Sequence, residues 1–459
     1  MKVIHIPFCY YPDPIGGTEV YVETLARDLQ LQGVEVVVAA PGDQDTAYTH
    51  DRLPVRRFAV AGEVSDLREL YGEGDPTASR RFGEILDEER ADVVHLHAFT
   101  RGASLRAVWE AHRRRVPVVF TYHTPTVSCV RGTLMRWGER PCDGVLERRK
   151  CCSCALHGAG MNRLAAAGVG SLPPSVGWII GRVGLCGRVW TAMRMPELVE
   201  LRHAAFRSLL EEVDRVVVLC QWTAELLERN GAAAWKVVVC PHGITDGARP
   251  GIPTSISMPR QRGTVRIAFM GRSDRSKGAD VLVRAVRLLQ DAPLELHLYV
   301  VAQEGAGTAY LRELKHLAAV DRRIVFHEPV GNERVTEVLR DCDVLAVPSR
   351  LLETGPLVVL EAFVAGLPVL GSNLGGVAEL VRHEGDGLLV EPDSVEAWRE
   401  GLLRLVREPG LLGRLRSGVR PPRRMSAVAD EMLQLYTALL EEKATSSGTR
   451  LVGIADALR

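Results

Sequence analysis

The sequence has no excess of charge of either sign. Lys plus Arg total 57 and Asp plus Glu total 57, so the formal net charge is zero. This balance excludes the basic footprint of a nucleic-acid binder, and no nucleic-acid partner is expected. The opening MKVIHIPFCYYPDP has one basic residue and a short apolar run before polar residues and prolines, so it reads as a first strand and not as a signal peptide. No uninterrupted apolar run reaches the ~20 residues that a membrane span requires. The nearest, VGSLPPSVGWIIGRVGLCGRVW (169–190), is broken by Pro173, Pro174, Arg182 and Arg188. A cytoplasmic protein is therefore expected, with its ten cysteines mostly reduced or metal-bound and not disulfide-bridged.

What is present is an enzyme-like composition, 46% hydrophobic and 25% charged, in a 459-residue chain sized for two domains. One pattern occurs twice. KVIHIPFCYYP (2–12) is an apolar strand followed by the turn DPIGGTE (13–19). A helix follows with Val22, Leu25, Ala26 and Leu29 on one face, and then the strand VEVVVAAPG (34–42). Much later, TVRIAFMGR (264–272) leads into SDRSKGAD (273–280), a helix carrying Leu282, Ala285, Val286 and Leu289, and LELHLYVVA (294–302). Spacings of three and four give one-sided helices, and the flanking runs read as strands of a parallel sheet buried on both faces.

Each half holds four more such runs: DVVHLH (92–97), VPVVFTYH (116–123), RVVVLC (215–220) and KVVVCPHG (236–243), then RIVFHEP (323–329), DVLAVPS (343–349), LPVLGS (367–372) and GLLVEP (387–392). The expected fold class is α/β, two Rossmann-like doubly wound domains facing each other across a cleft. The expected boundaries are 1–244, with a cysteine-rich insertion at 126–200; a Pro-, Gly- and Ser-rich linker at 245–263; 264–424; a terminal helix at 425–442 with Met425, Val428, Met432, Leu435 and Leu439 on one stripe; and a flexible tail at 443–459.

ETGPLVVLEAFVAGLPV (353–369) holds the chemistry. Pro356 suits the first turn of a helix and Gly366 the position just past its end, so the backbone N–H groups of Gly355, Leu357 and Val358, on either side of Pro356, open an anion-binding terminus after a strand. Glu361 sits among Leu360, Ala362, Phe363 and Val364 with no Arg or Lys within a helical turn. A carboxylate so placed needs a partner, and the vicinal hydroxyls of a nucleotide ribose fit it. Arg272 and Lys277 fall at the end of a strand and the start of its helix, where two cations stabilise a diphosphate leaving group without a metal.

These residues resemble glycosyltransferase family 4, whose hallmark is two glutamates separated by seven residues, here Glu353 and Glu361. GRSDRSKG, the GG of PIGGTE, FTYH, CPHGI (240–244) and GSNLGGVAELV (371–381) extend the resemblance from about residue 3 to residue 440. It implies a GT-B fold and a retaining enzyme using a nucleotide diphosphate sugar such as a UDP- or GDP-sugar. It also implies roles: Glu361 on the ribose, Glu353 on the hydroxyls of the transferred sugar, and Arg272 with Lys277 on the diphosphate. Gly16 and Gly17 would let backbone approach the phosphate and acceptor, and His123 would contact the donor sugar near the reacting carbon. The terminal helix would cross back onto the first domain. Two departures stand out: Thr354 follows the first glutamate where many members have Phe, and SDRS lacks the common Leu-x-Pro. His95 and His97 are read as structural, and His242 with Gly243 as shaping a turn.

Cys129, Cys142, Cys151 and Cys154 are spaced C-x12-C-x8-C-x2-C in an Arg- and Gly-rich segment, with Cys152 left over. A closing C-x2-C suits a structural four-thiolate zinc site, and an iron–sulfur cluster fits the same ligands. No cofactor is expected for catalysis itself. The stretch 164–195 admits peripheral membrane contact, with Trp178 and Trp190 at the interface and Arg182, Arg188 and Arg194 near anionic lipid, or a buried hairpin. The resulting expectation is transfer to a hydroxyl of a surface glycan or lipid-linked oligosaccharide. A GT-B nucleotide-sugar epimerase and a catalytically silent nucleotide-sugar scaffold are the alternatives.

Overall fold

The computed structural model describes residues 1–13, 16–62, 66–245, 263–302, 305–331 and 334–457. The linker expected at 245–263 lies outside the described residues apart from its two ends. The chain forms two compact units, Met1–Pro241 with Met425–Arg459, and His242–Arg424. The second unit thus starts at His242, before the linker, where Ile244 bridges to Arg424.

Unit 1 is built on an eight-stranded sheet. In spatial order its strands are Val237–Val239, Arg215–Val218, Val118–Tyr122, Val93–Leu96, Lys2–Ile6, Glu35–Gly42, Leu53–Ala59 and Thr46–His50. The described pairings are parallel except for the last, which is antiparallel. The pair Thr46–His50 and Leu53–Ala59 has no counterpart in the sequence reading. Its strands can be polar because their charges find partners elsewhere in unit 1: Arg57 bonds Asp13 Oδ2 at 2.6 Å and Tyr10 O at 2.9 Å.

The helix Gly17–Leu31 buries Val22, Leu25, Ala26 and Leu29 as its periodicity predicts. The same core takes Met425, Val428, Met432, Tyr436 and Leu439 from the last helix, so that helix belongs to unit 1. Each such side chain contributes about 1.5–3 kcal/mol on leaving water. The helix runs Met425–Ala457, beyond residue 442, because nothing in ATSSGTRLVGIADA breaks it as a proline would.

Unit 2 has a six-stranded sheet, Ile324–His327, Leu294–Val301, Val265–Arg272, Val344–Val347, Val369–Ser372 and Gly387–Val390, parallel throughout. Its core holds the predicted Leu282, Ala285, Val286 and Leu289. In both units the first strand lies between neighbours that wind in opposite directions, so each sheet has a topological switch point at the carboxyl end of that strand. That crevice is where doubly wound sheets bind ligands. Lys277 and Ser349 follow the two strands that flank it in unit 2; Gly16 and His97 do so in unit 1.

Candidate functional site

In unit 2 the strand Val344–Val347 ends at Pro348, and the chain turns through Ser349 to Glu353 before the helix Leu357–Val364. Pro356 is the N-cap of that helix and Gly366, at φ +75°, closes it in the left-handed region. Glu353 Oε1 accepts hydrogen bonds from Lys277 Nζ at 2.6 Å and Ser349 Oγ at 2.7 Å. Burial alone would raise the Glu353 carboxyl. Lys277 first, then Ser349 and Arg272, outweigh burial and hold it below the ordinary glutamate value.

The neighbouring turns are pinned around this point. Asp274 caps the single turn Arg275–Lys277, accepting from Ser276 N and Oγ at 2.8 and 2.6 Å, within the loop that lacks Leu-x-Pro. A Cβ on Gly278, at φ +72°, would meet Pro348 O at 1.9 Å, so only glycine lets the Lys277 turn lie against the Ser349 strand end. Arg350 grips Asp280 with both Nη atoms at 2.9 and 3.0 Å and Asp393 through Nε at 2.6 Å, locking the two loops together. Gly376 N donates to Glu353 O at 2.7 Å, which accounts for the double glycine of GSNLGGVAELV. His242 packs where a Cβ on Gly355 would lie, so CPHGI supports the mouth of the glutamate helix. Arg272 is exposed at the end of its strand.

Glu361 lies one turn into the helix. Burial pushes its carboxyl up to about 7, although the residue keeps part of its surface accessible. Among the described residues it has no hydrogen bond and no ion pair, and no guanidinium occupies it. A partly desolvated carboxylate with accessible surface is a candidate acceptor for the donors of a ligand.

In unit 1, Gly16 caps the helix Gly17–Leu31 and its N–H donates to Glu19 Oε2 at 2.8 Å. Gly16 is extended, at φ −119°, and a Cβ there would meet only Glu19 at 3.4 Å, so the backbone does not itself require glycine at this position. His123 follows the strand Val118–Tyr122 and is buried. Its Nε2 lies 3.0 Å from His97 Nδ1, and His97 Nε2 lies 2.8 Å from His5 Nδ1. His95, its ring centroid 4.0 Å from that of His97 and tilted by 32°, bonds Tyr436 and Thr121 at 2.6 Å each. The nitrogens of His5, His95 and His97 converge within 4.8 Å, but those of His95 and His97 are spent on these bonds, which leaves no ligand set for a metal.

The chain of rings dictates a tautomer. Burial pushes His5 down to about 3 and His97 well below its ordinary value, so both stay neutral. His5 Nε2 is buried without a hydrogen-bond partner. An orphaned N–H is the costlier choice, so the proton sits on His5 Nδ1 and is donated to His97, which donates in turn to His123 Nε2. His123 then carries its own proton on Nδ1. With His123 at the reacting carbon, as the family resemblance implies, His97→Phe is expected to lower kcat by about 10–100-fold, the range that follows loss of an outer partner of a metal-bound histidine, and His97→Gln to restore most of it. Nitrogen-15 chemical shifts of His123 report the Nδ1–H tautomer directly. The sequence reading left His97 without a role, although the H-x-H alternation puts both rings on one face at a strand end.

Unit 1 also has a cleft of ≈ 590 Å³ whose lining includes Thr18, Glu19, His97, Phe99, Thr126 and Arg202. Arg202 Nη2 donates to Phe99 O and Thr126 O at 3.2 and 2.9 Å, and the guanidinium lies 4.5 Å from the Phe99 ring. No carboxylate pairs with it among the described residues, and burial lowers it to about 10.

The four cysteines of the C-x12-C-x8-C-x2-C spacing all lie in unit 1. Cys154 Sγ accepts the Trp137 N–H at 3.2 Å, on the helix Arg148–Gly158. Burial raises the thiols of Cys142 and Cys151 above the ordinary cysteine value. Among the described residues no three of these sulfurs lie within 4.8 Å of one another. The leftover Cys152 is core, packed with Leu156, Ala166, Met195 and Val199.

The chain matches the family of Glycosyl transferases group 1 over residues 264–408 and that of the Glycosyl transferase 4-like domain over 16–243. The chain belongs to glycosyltransferase family 4. Two relatives are named D-inositol 3-phosphate glycosyltransferase. The one from Xylanimonas cellulosilytica is 28% identical over 92% of this chain and 91% of its own. The one from Nocardia farcinica is 31% identical over 93% and 86%. Sucrose-phosphate synthase from Thermosynechococcus elongatus superposes with a TM-score of 0.67 at 19% identity, covering 96% of this glycosyltransferase and 99% of that chain. Anabaena HepE, in complex with UDP and glucose, gives 0.63 at 15%, covering 95% and 100%. These likenesses show the GT-B fold.

Proposed function

We propose that this glycosyltransferase moves a sugar, with retention at the anomeric carbon, from a UDP- or GDP-sugar to a hydroxyl of a phosphate-bearing acceptor. The observation that carries the donor half is Glu361, a desolvated carboxylate with no partner among the described residues, one helical turn from the Glu353 cluster. Two hydroxyls of a ribose satisfy it. Lys277 and Arg272 take the diphosphate, with the helix terminus at Gly355–Leu357 beside them. Glu353, already engaged by Lys277 and Ser349, binds sugar hydroxyls and is not free to act as a nucleophile, which favours front-face transfer assisted by the leaving phosphate.

Arg202 carries the acceptor half: a half-buried cation with no carboxylate partner among the described residues, on the wall of the unit 1 cleft, favours an anion there. The relatives' name, with its D-inositol 3-phosphate, supports an acceptor of that charge, and a lipid-linked oligosaccharide phosphate has the same chemistry. His123, held by His97, is assigned to the donor sugar near the reacting carbon.

Mass spectrometry of purified protein against a panel of nucleotide sugars tests the reading. Release of a nucleoside diphosphate together with a glycosylated acceptor, its anomer retained, supports it. A changed donor without released nucleotide identifies an epimerase, and tight binding without turnover identifies a scaffold. Elemental analysis of the same sample addresses the cysteines. About one zinc per chain, lost on Cys151→Ser and Cys154→Ser, is expected if the sulfurs converge on a metal; a metal-free protein with ten titratable thiols removes that site.

A further inference from the structure

The surface at 163–190 differs from the rest of unit 1. The helices Arg163–Gly170 and Pro174–Val183 together have the length and hydropathy of a membrane segment, but they meet at 85°. No single helix among the described residues is long and apolar enough to cross a membrane. The hairpin is not buried either. Leu164 is 88% exposed, Ile179 54%, Val183 67% and Val189 72%, with Trp178 and Trp190 also exposed. Every residue from Arg182 to Trp190 is exposed.

Charge around this apolar face is one-sided. Between Arg148 and Pro196 the chain has seven Lys or Arg and no Asp or Glu. Four of these cations are paired with carboxylates from outside that stretch: Arg148 with Glu200, Lys150 with Asp143, Arg163 with Glu139 and Arg194 with Glu197. Arg182 and Arg188 have no carboxylate partner among the described residues, and Arg182 lies 5.2 Å from the Trp178 ring. Asp66, which lines the same hollow, is spent capping Arg68 N at 2.9 Å.

We propose that this face docks on the surface of an anionic phospholipid bilayer. The helix Pro174–Val183 lies flat in the interface, Trp178, Ile179 and Val183 enter the headgroup–acyl boundary, and Arg182 and Arg188 meet lipid phosphates. A second copy of the chain is the poorer occupant, because a two-fold interface would set this unneutralised positive surface against itself. The inference stands on surface chemistry and does not depend on which acceptor is glycosylated.

Flotation with phosphatidylcholine vesicles, and with vesicles that also contain phosphatidylglycerol, tests it on the full chain. The protein is expected to float with the anionic vesicles and to be released by high salt. Arg182→Gln with Arg188→Gln should weaken that partition roughly 30-fold. Ile179→Ser with Val189→Ser should also abolish it, with thermal melting unchanged in both variants because the side chains are exposed. Wild-type protein that stays with the pellet in anionic vesicles overturns the proposal. So does flotation insensitive to both variants, or a concentration-dependent dimer that Val189→Ser dissolves.

Discussion

Glu353→Gln is expected to lower kcat by about 10²–10³-fold while leaving nucleoside diphosphate affinity within a few-fold of wild type. The magnitude is that of removing one preorganised polar group from a site where charge develops. The Gln is isosteric and keeps an acceptor for Ser349, so the loop keeps its shape. What it loses is the charge that Lys277 holds ionised and positions. A carboxylate assigned to the hydroxyls of the transferred sugar should act on turnover far more than on nucleotide affinity. Steady-state kinetics beside calorimetric titration with the nucleoside diphosphate separates the two. A scaffold would show no turnover to lose, and a structural carboxylate would lower the melting temperature instead.

Glu361→Gln is expected to stabilise the ligand-free protein and weaken donor binding at once. Burial raises the folded-state carboxyl from the ordinary 4.5 to about 7. With the folded value above the unfolded one, the native state binds more protons between those limits, and stability falls as pH rises through about 7. The cost is absent below pH 4.5 and complete above pH 7. Removing the charge should therefore add about 1–2 kcal/mol at pH 8, allowing for the surface that Glu361 retains, and nothing near pH 4.5. Donor affinity in the wild type should fall as pH drops below 7, when the acceptor becomes protonated, and should be flat with pH in the variant. Thermal melts and donor titrations at pH 5.5 and 8 measure both. A substitution that stabilises the fold and costs the function marks a site residue.

Both predictions start from residues that could be picked out of the sequence, because their oddity is local. A glutamate inside LVVLEAFV and a lysine in a glycine turn break the pattern of their own elements. The two sheets were legible for the same reason: their strands are continuous runs of Val, Ile and Leu. The antiparallel edge strands were not, since Arg56 and Arg57 interrupt them and find their partners far along the chain, at Glu88, Glu89 and Asp13. Ser349 and the Arg350–Asp280 clamp were hidden because their importance is a distance between loops 70 residues apart. His97 was hidden for a subtler reason. Buried histidines are mostly structural, and only the ring-to-ring contacts show that this one reaches His123. In the cysteine segment, the spacing suggests four thiolates in one set, and it gives no sign that Cys154 accepts the Trp137 amide. Whether 164–195 is covered could not be decided from its pattern; exposure decides it.

The claim beneath the rest is that Glu361 is desolvated in order to hold a ribose. Titration of wild type and Glu361→Ala with a nucleoside diphosphate and its 2′,3′-dideoxy analogue tests this most directly. Two hydrogen bonds to a charged acceptor contribute about 1.5–3 kcal/mol each, so the wild type should lose at least about 100-fold in affinity for the analogue, and the variant should bind both alike. Equal losses in the two proteins would contradict the account, because the diol would then be held elsewhere.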